Sequence, residues 1–127
     1  MTRTIEISDF ADDIVLQLVA LPLDKDICIS LHDSEKGGIG AVVLARPRGL
    51  PDGKRECDVY SVSAGTDFEE SIARSVAEKV AEETGGCVSM SCGVLPADLT
   101  EDARREVADI SMNLARTLVS KLKMKRE

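Results

Sequence analysis

Apolar and polar residues alternate with a period of two along the first half of the chain, the spacing of strands with one face on a core. Ile5-Glu6-Ile7 reads as a short leading strand or an extended arm. Ile14 to Leu21 (I-V-L-Q-L-V-A-L) is a β-branched-rich run interrupted only by Gln17. Pro22 and the Asp24-Lys25-Asp26 cluster punctuate it, and Ile27 to Leu31 resumes as its hairpin partner. His32 to Gly38 is a polar turn, Ile39 to Ala45 a third clear strand, and Cys57 to Ser63 a fourth. Between the last two, residues 46–56 hold two prolines, two glycines and four basic side chains, which predicts an exposed basic loop.

The period then lengthens. Thr66 followed by Glu69 is a capping-box signature, and Phe68, Ile72, Val76 and Val80 with Ala73 and Ala77 form one apolar stripe at helical spacing. Gly85-Gly86 closes that helix. Cys87 to Val94 returns to alternation, with Val88, Met90, Cys92 and Val94 on one face and small, mildly polar residues on the other. After Leu95-Pro96, Asp98 with Glu101, or Thr100 itself, caps a second helix with Val107, Ile110, Leu114, Leu118 and Leu122 on one side. The expectation is an α+β domain spanning 1–127, in the order β-β-β-β-α-β-α, with an antiparallel meander of five or six strands and two helices on one face.

Two helices shield one face of such a sheet, yet several strands are apolar on both. Ile14, Leu16, Leu18 and Ala20 oppose Val15, Val19 and Leu21, and Ala41 and Val43 oppose Val42 and Leu44. A sheet wet on one side alternates more cleanly. The pattern therefore favours a second face buried in a dimer over strands curled into a small closed barrel.

Composition narrows the function classes. The chain has 127 residues, enough for one modest core, and 43% are apolar. Aromatic residues are limited to Phe10, Phe68 and Tyr60, too few to stack single-stranded bases. A net charge of -7 opposes binding to a phosphate backbone, so no nucleic acid is expected. The charge reverses locally at the basic tail 121–127, where Lys121, Lys123, Lys125 and Arg126 read as a solvated end. No apolar run reaches membrane-spanning length, and the first ten residues do not resemble a leader, so no membrane partner is expected. Four irregularly spaced cysteines (Cys28, Cys57, Cys87, Cys92) then read as reduced thiols of a cytoplasmic or nuclear protein.

No motif carries chemistry. His32, the single histidine, sits beside Asp33 in a polar turn, and a small enzyme built on it with Cys57 or Cys92 is the weakest reading. The cysteines lack paired metal-ligand spacing, and Gly37-Gly38-Ile39-Gly40 precedes a strand rather than a phosphate-binding helix N-terminus. No catalytic, cofactor-binding or metal-binding residue is assigned, and no cofactor is expected. Arg46, Arg48, Lys54 and Arg55 form the best patch for an acidic partner.

The chain resembles the eukaryotic proteasome assembly chaperone 4 family. The likeness lies in Ile7-Ser8-Asp9-Phe10, the Ile14–Leu21 strand turning into Ile27–Leu31, and the strand–helix–strand stretch Tyr60 to Val94 with its Glu83-Thr84-Gly85-Gly86 helix end, followed by the second long helix. The related chaperone 3 family shares this layout. The resemblance implies an antiparallel sheet with two helices on one side and a dimer whose sheets pack together. It further implies a non-enzymatic function: pairing with a chaperone 3-like subunit, or with itself in isolation, and ordering proteasome α-type subunits during assembly of the 20S α-ring. The alternative is a small adaptor of longin, roadblock or profilin shape that binds another protein client.

Overall fold

The computed structural model describes residues 3–11, 14–33, 38–94 and 100–125. The chain forms β1 (Ile5–Ala11), β2 (Ile14–Leu23), β3 (Asp26–Asp33), β4 (Ala41–Gly49), β5 (Arg55–Ser63), α1 (Asp67–Thr84), β6 (Val88–Gly93) and α2 (Glu101–Lys125). The α+β class and the sheet with two helices agree with the sequence pattern, while the leading segment, expected as a short strand or an arm, forms a full strand, so five strands rather than four precede α1.

The six strands lie in the order β1-β2-β3-β6-β4-β5. The sheet is not a simple meander. β6 inserts between β3 and β4, antiparallel to β4 but parallel to β3. Helix α1 makes this possible by carrying the chain back across the sheet after β5, a long-range return that local periodicity does not encode.

The segment 46–56, expected as a loop, is mostly strand. β4 runs through Arg46, Pro47 and Arg48 to Gly49, β5 begins at Arg55, and only the residues between them turn. The reason is an edge. β4 pairs with β6 only as far as Ala45, so the amide that Pro47 lacks faces an unpaired side. The same holds for Pro22, because β1 pairs with β2 no further than Ala20. The β2–β3 hairpin closes through Asp24-Lys25, with Asp24 at φ 59, a left-handed turn position that aspartate tolerates.

Core side chains come from one sheet face and both helices. Leu16, Leu18, Ile29, Leu31, Val43, Val88 and Met90 pack beneath the helix residues Val76, Val80, Leu114 and Leu118. α1 lies over β4, β5 and β6, and α2 over β1 and β2. The helices run side by side with like ends together: the Arg104 guanidinium sits over the Phe68 ring at 5.6 Å, and Lys123 pairs with Glu83 at 3.0 Å. Part of the predicted solvated tail is therefore helical and tied down, while residues 126–127 lie outside the described residues.

The predicted capping box is present. Thr66 Oγ1 accepts the Glu69 N–H at 3.3 Å, and Glu69 Oε1 accepts the Thr66 N–H at 3.4 Å. Glu69 does more than cap. It is 4% exposed, and its Oε2 accepts the Val94 N–H at 3.2 Å, fastening the end of β6 to the start of α1. A Cβ at Gly40 would collide with this carboxylate, so any side chain there would have to displace Glu69 from its place. Gly85 ends α1 at φ 79, donating its N–H to the Ala81 carbonyl. At α2, Thr100 Oγ1 accepts the Ala103 N–H at 3.1 Å, and Asp98 lies outside the described residues.

Candidate interaction face of the sheet

The side of the sheet away from the helices is the most distinctive surface. Among the described residues, ten large apolar side chains are exposed, and register places eight of them on this face: Phe10, Val15, Leu21, Leu23, Val42, Leu44, Tyr60 and Val62. Scattered exposed apolar residues are ordinary on a protein surface, whereas their concentration on one face marks a candidate contact site. Val15, Leu21, Val42 and Leu44 are residues whose second-face position the sequence pattern had picked out. Tyr60 and Val62 were not singled out, although the alternation of Cys57 to Ser63 carries the signal.

The face has an internal order. β2 with β1 supplies one aliphatic flank, and β4 with β5 supplies the other. Between them β3 and β6 carry small or polar groups: Cys28, Ser30 and His32 on β3, Ser89 and Ser91 on β6. Ser89 Oγ donates to Cys28 Sγ at 3.2 Å, and Ser30 Oγ lies 3.4 Å from His32 Nδ1. The two strands at the centre therefore form a lower, polar strip between apolar ridges.

Charge closes one corner. Arg46 reaches Asp58 at 3.1 Å and the Tyr60 hydroxyl at 3.5 Å, while Arg48 reaches Asp58 at 2.9 Å and Glu56 at 3.3 Å. The hydrogen bond from Arg46 and the nearby Arg48 charge hold the Asp58 carboxyl below its ordinary range. Arg55 donates to the Glu82 carbonyl at 2.7 Å, at the end of α1. Of the basic patch expected at Arg46, Arg48, Lys54 and Arg55, Arg46 and Arg48 are thus neutralised by ion pairs within the molecule, while Arg55 is held by a carbonyl and keeps its charge.

The chemical groups weighed in the sequence do not converge. Cys92 is buried, and burial followed by the Glu69 charge pushes its thiol up to about 12. Cys57 faces α1, its thiol 3.9 Å from the Glu78 carbonyl, and burial raises it as well. Cys28 is exposed on the open face. Among the described residues no thiol is a hydrogen-bond partner of His32, and no group of three or more metal-ligating side chains occurs. Among them, too, no helix is long and apolar enough to cross a membrane. Gly37 of the glycine cluster lies outside the described residues, and Gly40 donates its N–H to the Cys92 carbonyl within the sheet.

Comparison with solved structures gives a match to a chain in a crystal structure described as a novel chaperone complex for yeast 20S proteasome assembly. The TM-score is 0.63 at 14% identity, over 97% of this chain and 96% of the other. At that identity the likeness is one of fold. No curated protein sequence matches the chain. The family is fixed by sequence instead: residues 11–123 match the model of the prenylated flavin chaperone LpdD-like domain, and the chain belongs to that family.

Proposed function

We propose that this protein is a non-enzymatic chaperone that pairs with a protein of related fold through the open face of its sheet and holds a client before that client is complete. The observation carrying this reading is the concentration of eight exposed apolar side chains on the one sheet face that α1 and α2 leave bare. A face of six strands spaced ~4.8 Å apart presents an area of the order that a standard protein interface needs. Family membership supports the chaperone role, and the family's description makes an enzyme that depends on prenylated flavin the first client class. The thiols are those of a protein kept in a reducing compartment, cytoplasmic or also nuclear.

A second client is favoured by a separate observation. The fold is shared along nearly the whole chain with a component of a yeast 20S assembly complex. On this reading the partner is a chaperone 3-like subunit, or a second copy in isolation, and the clients are proteasome α-type subunits joining the α-ring.

One experiment separates the two. A tagged chain is recovered from its source cell under native conditions, and the bound proteins are identified by mass. Enrichment of a flavin-dependent enzyme supports the first client, and enrichment of proteasome α-type subunits supports the second. A folded, tagged chain that enriches neither overturns the chaperone reading.

A further inference from the structure

The sheet has two free edges, and they are built differently. On β1, Asp9 lies opposite Leu16 on the core-facing side, and its Oδ1 accepts the Phe10 N–H at 2.8 Å. A charge placed inward, occupying one of the strand's own amides, is a device by which natural sheets refuse further strands. The β5 edge lacks these devices. Its nine residues pair with β4 without a bulge, and they include neither proline nor lysine. The carboxylates of Glu56 and Asp58 are engaged by Arg48 and Arg46, and Val59–Ser63 is neutral. Tyr60 and Val62 stand 55% and 69% exposed beside this edge.

The helix side of the same edge has its own charge. Glu70, Arg74, Glu78 and Glu82 recur every fourth residue along α1 and lie against β5. Ser61 Oγ donates to Glu70 Oε2 at 2.7 Å and accepts from Arg74 Nη1 at 3.0 Å. Cys57 and Arg55 reach the carbonyls of Glu78 and Glu82. With Arg55 of β5 counted beside them, three acids and two bases leave this side of the edge at a formal charge of -1 (2 - 3), its negative part at Glu78 and Glu82.

We propose that the β5 edge accepts an extended segment of a partner protein by strand addition, with alternate residues basic toward α1 and β-branched or aromatic toward the open face. Backbone groups of Val59–Ser63 supply the ladder, the α1 stripe selects the basic residues, and Tyr60 with Val62 selects the apolar ones. A second copy of β5 is a poor occupant, because its own acidic stripe would lie across from the first. This edge shares Tyr60 and Val62 with the open face used in the pairing above, but its ladder is made by the backbone groups of Val59–Ser63, and amide protection tests it apart from that face.

The probe is a capped nonapeptide of alternating lysine and valine, titrated against the full chain at low salt. Two further peptides carry N-methyl groups on all the valines or on all the lysines. In a strand, residues facing one side of the sheet also point their amides to one edge, so only one methylated set can disrupt the ladder. The expected result is at least tenfold weaker binding for one methylated peptide and unchanged binding for the other. Exchange protection of the Val59–Ser63 amides should rise, and Glu78→Lys with Glu82→Lys should weaken binding at least tenfold. The proposal is overturned by equal binding of both methylated peptides, by protection appearing at β1 instead, or by no binding of the unmodified peptide. The methylated peptides use the unaltered chain, so they decide the matter even where the double variant fails to fold.

Discussion

Val42→Lys tests the open sheet face most directly. Val42 is 46% exposed and sits between Val62 on β5 and Ser91 on β6, well inside the patch. Complete burial of a valine side chain is worth ~1.5–3 kcal/mol, so the part still exposed offers about 1 kcal/mol on association. Lysine forfeits that gain and also brings an ammonium group that must be desolvated without a carboxylate on β6 or β5 opposite it, at a cost of ~2 kcal/mol or more. Together these give ~3 kcal/mol, a dissociation constant raised by ~100-fold or more. Effects within the monomer are small, since the position lies on the wet side of a strand and strand preferences span only ~1 kcal/mol. The assay is sedimentation equilibrium of the chain alone and with the partner recovered from cells, beside thermal melting. Ser120→Lys, which adds the same charge at an exposed position on α2, is the control and should associate normally. If Val42→Lys melts like the parent and associates equally well, the sheet face is not the interface.

Glu69→Ala should lower stability by ~2–4 kcal/mol, because it removes the capping box and leaves the Val94 N–H without its acceptor. Urea unfolding reads this, Glu69→Gln should be milder because it keeps an acceptor oxygen, and a loss below ~1 kcal/mol for the alanine variant would show that the buried carboxylate is not fastening β6 to α1. Alkylation followed by mass mapping at pH 7.5 should modify Cys28 first and leave Cys92 unmodified until the chain unfolds, and partner binding to the open face should protect Cys28. Equal labelling of Cys28 and Cys92 in the native chain would contradict the burial of Cys92. The Cys92 thiol also sets a pH dependence: its folded value of about 12 lies above its ordinary 9.0, so the native state holds the proton more tightly than the unfolded state. That contribution is fully present below about pH 9 and falls by ~1.4 kcal/mol per pH unit as pH rises toward 12. Cys92→Ala should flatten the alkaline limb of a stability–pH curve, and an unchanged limb would exclude this thiol as its cause.

Local rules were sufficient for much of this molecule. The capping pair Thr66 and Glu69, the left-handed Gly85 and the apolar stripes of both helices depend on neighbours within one or two turns, and such neighbours are visible in sequence. The two-faced character of β2 and β4 was legible for the same reason, since a period of two fixes which residues share a face. Tertiary structure decided the rest. Insertion of β6 between β3 and β4 placed Ser89 and Ser91 in the middle of the open face and made that face two aliphatic ridges around a polar strip. The end of β6 pairing at Ala45 let Arg46, Pro47 and Arg48 continue as strand, which their composition argues against. Ion pairing across β4 and β5 then neutralised Arg46 and Arg48, half of a patch that looked basic when its residues were counted along the chain. Glu69 is the sharpest case: sequence fixes its bond to Thr66, while its burial and its hold on Val94 come from bringing together the ends of β6 and α1, residues 25 apart in the chain. Periodicity specifies faces and caps because these are short-range, whereas strand order, edges and charge compensation depend on contacts that only the folded chain makes.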